Sequence, residues 1–169
     1  QGDNGYGIRI SMYYPFDTDE AIVSGNIDNG RRGVGRYQLL LTNSEITNPF
    51  RQLYRGIEKA NLCIEQIPLM KQYSSGTDLE KKELRKLHGE ALALRAQFYM
   101  ELIRNWGDVP APMVAAYKQT DLFIPQANRD STYDILLADL TAAKDLLPWR
   151  TEAGPRNERV TKGAAMALK

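Results

Sequence analysis

The sequence predicts an all-α fold: helical hairpins joined by long loops and preceded by an irregular N-terminal arm. Three observations carry that expectation. Beyond residue 50 apolar residues recur at steps of three and four, each periodic segment ends on Gly or Pro, and successive segments pair as neighbours. In the first segment Leu53, Ile57, Ala60, Ile64 and Ile67 line one face of a helix that ends before Pro68. The polar stretch KQYSSGTD separates it from LEKKELRKLHGEALALRAQFYMELIRNW, where Leu84, Leu87, Ala91, Leu94, Phe98 and Leu102 repeat the rhythm. Gly107 can take the left-handed conformation that closes this helix, and Pro110 and Pro112 cannot continue it.

Residues 111–129 mix prolines, amides and isolated apolar residues without period, and read as a long irregular connection over the surface. In RDSTYDILLADLTAAKDLLP, Ser131 is placed to cap a helix with Asp134 as the partner of a near capping box. Leu136, Leu140, Ala143 and Leu147 form its buried stripe, and Pro148 ends it. After the polar linker WRTEAGPRNER, Thr161 opens the alanine-rich TKGAAMALK, a helix that reads as cut short at the end of the chain. Signals before residue 50 are weaker: IRISMYY alternates like a short strand, DTDEAIVSG has the outline of a short helix, and IDNGRRGVGRYQ reads as a glycine-rich loop.

Composition limits the function classes. Hydrophobic residues at 43% and charged residues at 25% place the chain among ordinary globular domains, and a formal net charge of +1 supplies no bulk field for nucleic acid or anionic lipid. Cys63 has no partner cysteine, so neither a disulfide framework nor a multi-cysteine zinc site can be assembled from this chain alone. No apolar run reaches the roughly 20 residues a spanning helix needs, and QGDNGYGIRI lacks the order of a secretion signal.

Candidate chemistry is sparse. His88 is the single histidine, which rules out a two-histidine metal site and reads as a helix-surface side chain; Cys63, between Leu62 and Ile64, reads as a packed small hydrophobe. Arg95 lies on the apolar side of its helix, with Glu58, Glu90 and Glu101 as candidate partners in a structural ion pair. EKKELRK is a solvated helix face, and Trp149 is expected to pack across a hairpin turn. GRRGVGR lacks the Gly-Lys-Ser/Thr ending and the preceding strand of a phosphate loop.

What remains is a polar loop bearing Asp28, Asn29, Arg31, Arg32 and Tyr37. Sugars are held by planar amide, carboxylate and guanidinium groups with an aromatic face against the ring's C–H side, so these five are the candidate ligand residues. A solvated, turn-rich connection is the competing reading. No catalytic residue, metal ligand or cofactor site is assigned.

The helices pair as residues 53–67 with 80–106, and 131–147 with the helix after Thr161. That is the outline of stacked helix–turn–helix repeats, with Ala91, Ala93, Ala96, Ala142, Ala143, Ala164, Ala165 and Ala167 allowing close approach. Periodicity alone leaves a tetratricopeptide-like stack and another alanine-rich bundle both open. The ordered blocks LYRGIEKANLCIEQIP, HGEALALRAQFYMELIRNWGDVPAP, RDSTYDILLADLTAAKDLLP and RVTKGAAMALK then add a further signal. In their Ile-x-x-Ala-Asn, Glu-Ala-x-x-Leu-Arg-Ala-x-x-Tyr, aromatic-Gly-Asp-Val-Pro, Asp-Leu-x-x-Ala and Thr-Lys-Gly-Ala-Ala motifs, the chain resembles SusD/RagB-type proteins of Bacteroidetes over about residues 50–169.

The resemblance implies tetratricopeptide-like hairpins in an α-α superhelix over residues 50–169, the last helix truncated, behind an irregular arm at 1–49 that holds the ligand loop. It further implies a non-enzymatic, surface-exposed outer-membrane lipoprotein that captures glycan or another nutrient for a SusC-like TonB-dependent transporter. Membrane attachment would be through a lipid anchor outside this chain, no nucleic acid would be bound, and the C-terminal half of the family would be absent. A tetratricopeptide-type protein–protein adaptor and a fragment of an α-helical glycosidase are the rival readings, separated from the first by peptide binding in an open groove and by turnover of oligosaccharide.

Overall fold

Short polar side chains start the long helices. The computed structural model describes residues 18–22, 24–26, 30–38, 40, 42–121, 123–152 and 159–169. The chain divides into two compact units, Gln1–Arg55 and Gly56–Lys169. Among the described residues the regular structure is helical: α1 (Arg31–Gly35), α2 (Ser44–Gln66), α3 (Lys71–Ser75), α4 (Asp78–Trp106), α5 (Arg129–Leu146) and α6 (Lys162–Leu168), with 3-10 turns at Ile67–Leu69 and Ala116–Lys118. The fold is therefore all-α, and no described helix is long and apolar enough to cross a membrane.

In the first unit Asn43 is 1% exposed, and its side chain accepts the Glu45 N–H at 2.9 Å while donating to the Gly30 carbonyl at 3.1 Å. The amide thus starts α2 and ties it to α1. The apolar periodicity begins at Leu53, nine residues after α2 does. Pro49 sits inside α2, where it forfeits a single backbone bond near the N-terminus and the helix runs on. DTDEAIVSG, expected to be a short helix, shows a bend at its described residues 18–20, and the strand expected at IRISMYY lies outside the described residues.

In the second unit Thr77 and Glu80 form a reciprocal capping box at the head of α4. Its Thr77 N–H to Glu80 carboxylate bond is 2.8 Å long. The polar separator before it holds the short helix α3. Gly107 closes α4 at φ 74°, its N–H bonded to the Ile103 carbonyl, as the Gly–Pro punctuation requires. Asn128, not Ser131, caps α5 by accepting from the Asp130 and Ser131 N–H groups; an amide one residue before the helix outcompetes a hydroxyl already inside its first turn. Thr161 caps α6 through Ala164 N–H.

The expected stripe of α5 is buried throughout: Leu136 and Leu140 at 1%, Ala143 at 0% and Leu147 at 5%. The stripe of α4 is only partly so. Ala91 and Leu102 are buried, Leu84, Leu94 and Phe98 are half-buried, and Leu87 is 39% exposed. Burial concentrates instead on Leu92, Ala93, Ala96, Tyr99 and Ile103, because the central turns of α4 are packed on two sides and one stripe cannot describe them. The Phe98 ring lies on Gly56 of α2, and a Cβ at Gly89 would stand 2.9 Å from Leu146 Cβ of α5. Arg159 grips the buried carboxylate of Glu90 through Nε and Nη2, fastening the segment before α6 to α4.

Cys63 is exposed rather than packed; Asn61 takes the inward position beside Ala60. His88 is half-buried rather than on the surface, with Nδ1 3.1 Å from the Tyr73 hydroxyl and the two rings edge-on at 5.9 Å, so it holds α3 to α4. Burial lowers its pKa below the usual histidine value, Asp139 opposes that shift, and Arg95 adds to it. Trp149 keeps about half its surface, 47%, in solvent, with the Lys162 ammonium 5.6 Å from its ring centre.

Two outcomes are expected. A Gly89→Val chain should lose about 1–3 kcal/mol of stability in thermal or urea denaturation, since the backbones of α4 and α5 leave no room for a side chain. For His88 the neutral form is the one favoured by folding. Its contribution is therefore complete above about pH 6.5 and declines as pH falls through the lowered folded-state value. Urea midpoints measured from pH 7.5 to 5 should fall more steeply for the parent chain than for His88→Gln.

Candidate functional site

The loop singled out from sequence is more ordered than a turn-rich connection. RRGVG, expected to be loop, folds as α1, with Gly33 and Gly35 buried. Asp28 and Asn29 lie outside the described residues. Arg32 turns back to donate Nε to the Ser24 carbonyl at 3.2 Å, and Arg36, which sequence reasoning passed over, donates to the Gly25 carbonyl at 3.0 Å. These two guanidiniums serve the backbone of the arm. Arg31 keeps 61% of its side chain in solvent beside Glu45 at 3.9 Å, and Tyr37, at φ 55°, exposes 73% of its surface. The arrangement offers a ring face and a guanidinium to solvent close together in sequence.

A second constellation lies wholly in the second unit, and sequence reasoning assigned it no site. After Gly107 the chain forms a closed loop. Arg129 Nε meets Asp108 Oδ1 at 2.8 Å, the Val109 carbonyl accepts the Ala127 N–H at 3.0 Å, and Pro110 and Gln126 form an isolated antiparallel bridge. From that neck a strap, residues 112–118, runs across α2 and α4, and side chains of those helices hold its backbone. Tyr99 donates to the Pro112 carbonyl at 2.8 Å, and Asn61 reaches both the Pro112 and Val114 carbonyls at 2.9 and 3.1 Å. Arg95 donates to the Met113 carbonyl at 2.9 Å. Glu65 accepts the Ala115 N–H at 2.8 Å, and Glu58 accepts the Ala116 N–H through both oxygens at 3.0 Å. The connection expected to run over the surface is therefore clamped, with Ala115 at 0% exposure.

Arg95 is the hub. Its Nε and Nη2 make a bidentate pair with Asp139 of α5, both bonds at 2.8 Å, while Nη1 serves Asn61 at 2.9 Å as well as the strap. The ion pair expected for Arg95 exists, but its partner is none of the three glutamates expected. Glu58 holds the strap, Glu90 binds Arg159 and Glu101 lies 3.7 Å from Arg104. Arg95 and Asp139 are each 7% exposed, so the planar fork supplies donors that would otherwise be missing around a buried carboxylate.

At the outer edge of the strap Tyr117 is 60% exposed. Its hydroxyl donates to Glu65 and accepts from Gln66, both at 2.8 Å. Lys118 meets the same Glu65 carboxylate at 3.0 Å. The Ala115 N–H, followed by Lys118 and Tyr117, holds Glu65 below the usual carboxylate range against the opposing effect of burial, while Glu65 raises the ammonium of Lys118. The chemistry available is recognition by an oriented ring with a polar rim. Among the described residues no cluster of His, Cys, Asp and Glu could hold a metal ion.

Residues 21–169 match the SusD-like family described as starch-binding and associating with the outer membrane. A SusD-like protein of Formosa agariphila is 33% identical over 94 residues, covering 55% of this chain and 17% of that protein. A solved SusD homolog from Bacteroides thetaiotaomicron superposes with a TM-score of 0.71 at 32% identity, covering 81% of this chain and 26% of that one. A solved SusD-like protein from Bacteroides fragilis gives 0.65 at 29% identity, over 79% of this chain and 24% of that one. The chain thus spans about a quarter or less of the length of these relatives.

The buried hub yields a graded expectation. Arg95→Met strands the Asp139 carboxylate and should cost about 3–5 kcal/mol, whereas Arg95→Met combined with Asp139→Leu should recover much of that loss. Urea denaturation of the single and double variants measures both.

Proposed function

Because the chain belongs to the SusD-like family, we propose that the protein containing it captures a glycan at the outer-membrane surface and hands it to a TonB-dependent transporter without cleaving it. The observation that carries this reading is the family match across residues 21–169, nearly the whole of the chain. The local structure agrees with it. Long helices form the scaffold, and polar side chains with exposed rings sit in the segments outside them, where sugar hydroxyls and C–H faces can be met. In the first unit Tyr37 supplies the ring and Arg31 the planar donor; Asp28 and Asn29 complete the proposed contact set, with Arg32 holding the arm that carries it. The lipid anchor and the transporter partner belong to the same proposal.

The test is affinity electrophoresis of the full-length protein through gels containing starch, laminarin, xyloglucan or alginate, followed by chromatography for released sugars. Retardation by a glycan without product release is the expected outcome, and release of oligosaccharides would sink the non-enzymatic reading. Tyr37→Ala should weaken the retained glycan roughly three- to tenfold, the scale of one lost aromatic contact. Copurification of a β-barrel receptor with the tagged protein from outer membranes tests the transport half of the proposal.

A further inference from the structure

Tyr117 poses a problem that the packing of the helices does not answer. Its strap is held by Tyr99, Asn61, Arg95, Glu65 and Glu58, yet the ring at its edge is left 60% exposed. Three buried side chains, Tyr99, Asn61 and Arg95, and two partly exposed ones, Glu65 and Glu58, fix this stretch of backbone before any ligand arrives. The 3-10 turn Ala116–Lys118 adds its own bonds, Lys118 N–H to the Ala115 carbonyl at 2.9 Å and Gln119 N–H to the Ala116 carbonyl at 3.1 Å. The phenol is fixed at its far end too, between Glu65 and Gln66. A tyrosine held at both ends offers a broad, flat, amphipathic surface with little rotational entropy left to lose on binding.

We propose that Tyr117 is a saccharide-stacking platform in the second unit, distinct from the Tyr37 loop, and that it takes a neutral hexopyranose residue. This rests on the glycan-binding reading above and names a further contact for it. The rim chooses the ligand class. The ring's own partners are an amide, a carboxylate and an ammonium, a polar rim of the kind that sugar hydroxyls meet. The ring takes the C–H side of a pyranose, with the Gln66 amide at the phenol hydroxyl and the Lys118 ammonium 5.7 Å from the ring centre as the neighbouring donors. Lys118 supplies no net attraction for a uronate or sulfate, because the Glu65 carboxylate stands 3.0 Å from its ammonium and cancels its charge.

The experiment uses the full-length protein and the same four polysaccharides, with dissociation constants from titration calorimetry for whichever is retained. Tyr117→Ala should weaken binding of a neutral polysaccharide roughly three- to tenfold, while Tyr117→Phe, which keeps the ring and loses only the hydroxyl, should stay within about twofold of the parent. Thermal denaturation of both variants reports on the strap independently. Unchanged binding by Tyr117→Ala overturns the inference, as does an equal loss in Tyr117→Phe, which would make the hydroxyl's anchoring rather than the ring responsible. Retention of alginate alone overturns the neutral-sugar assignment. If the parent binds none of the four, the glycan-binding reading falls and takes this inference with it; binding by the parent that is indifferent to Tyr117 removes this inference only.

Discussion

The bidentate pair between Arg95 and Asp139 is the interaction on which the second unit is organised. It joins α4 to α5 across 44 residues of sequence, and its remaining nitrogen reaches Asn61 of α2 and the carbonyl of Met113. One guanidinium on α4 therefore touches two other helices and the strap. A buried pair of this kind gains little over a well-packed apolar core, because desolvation offsets most of its attraction. Its effect is on uniqueness. An apolar contact between α4 and α5 would tolerate a slide or a rotation of one helix, whereas the planar fork accepts one register, and that register places Asn61 and Tyr99 where the strap carbonyls can use them.

The same constraint explains the motifs by which the family resemblance was drawn. Asn61 closes Ile-x-x-Ala-Asn, Arg95 and Tyr99 lie in Glu-Ala-x-x-Leu-Arg-Ala-x-x-Tyr, and Asp139 opens Asp-Leu-x-x-Ala. These blocks, far apart in sequence, meet at the segment that follows Gly-Asp-Val-Pro. That motif ends α4 with Gly107, closes the loop neck through Asp108 and Arg129, and buries Val109 to 4%. A proline-rich exit from a helix forfeits backbone partners, and the network replaces them from side chains on neighbouring helices. What reads in sequence as a stop signal is the start of a held strap.

Legibility followed the range of the forces involved. The stripe of α5 was visible because burial on one face repeats every three or four residues, and Leu136, Leu140, Ala143 and Leu147 obey it. Leu87 departs from the expected stripe of α4: it is 39% exposed while its neighbours His88 and Gly89 pack against Tyr73 and Leu146. The first turns of α2, residues 44–52, are mostly polar and carry no apolar stripe to mark them. The partner of Arg95 could not be inferred, because Asp139 lies on another helix and ionic pairing has no period. For the first unit Tyr37 and Arg31 are proposed contacts chosen by residue type alone, and the same reasoning could not see that Arg32 and Arg36 donate to the Ser24 and Gly25 carbonyls. Nor could it reach Tyr117, whose significance depends on the fixation of its backbone.

Rigidity and exposure are usually opposed, since an exposed loop lacks the neighbours that would hold it. The strap resolves the opposition by dividing its atoms. Its carbonyls and N–H groups face inward to Asn61, Arg95, Tyr99, Glu65 and Glu58, and the side chains of Val114 and Tyr117 face outward. Backbone satisfied mostly from below needs no regular structure beyond the single 3-10 turn Ala116–Lys118, so the outward residues can be set by what they must meet in solvent rather than by packing. Helices supply the fixed donors and acceptors, and the proposed recognition surface inherits their rigidity.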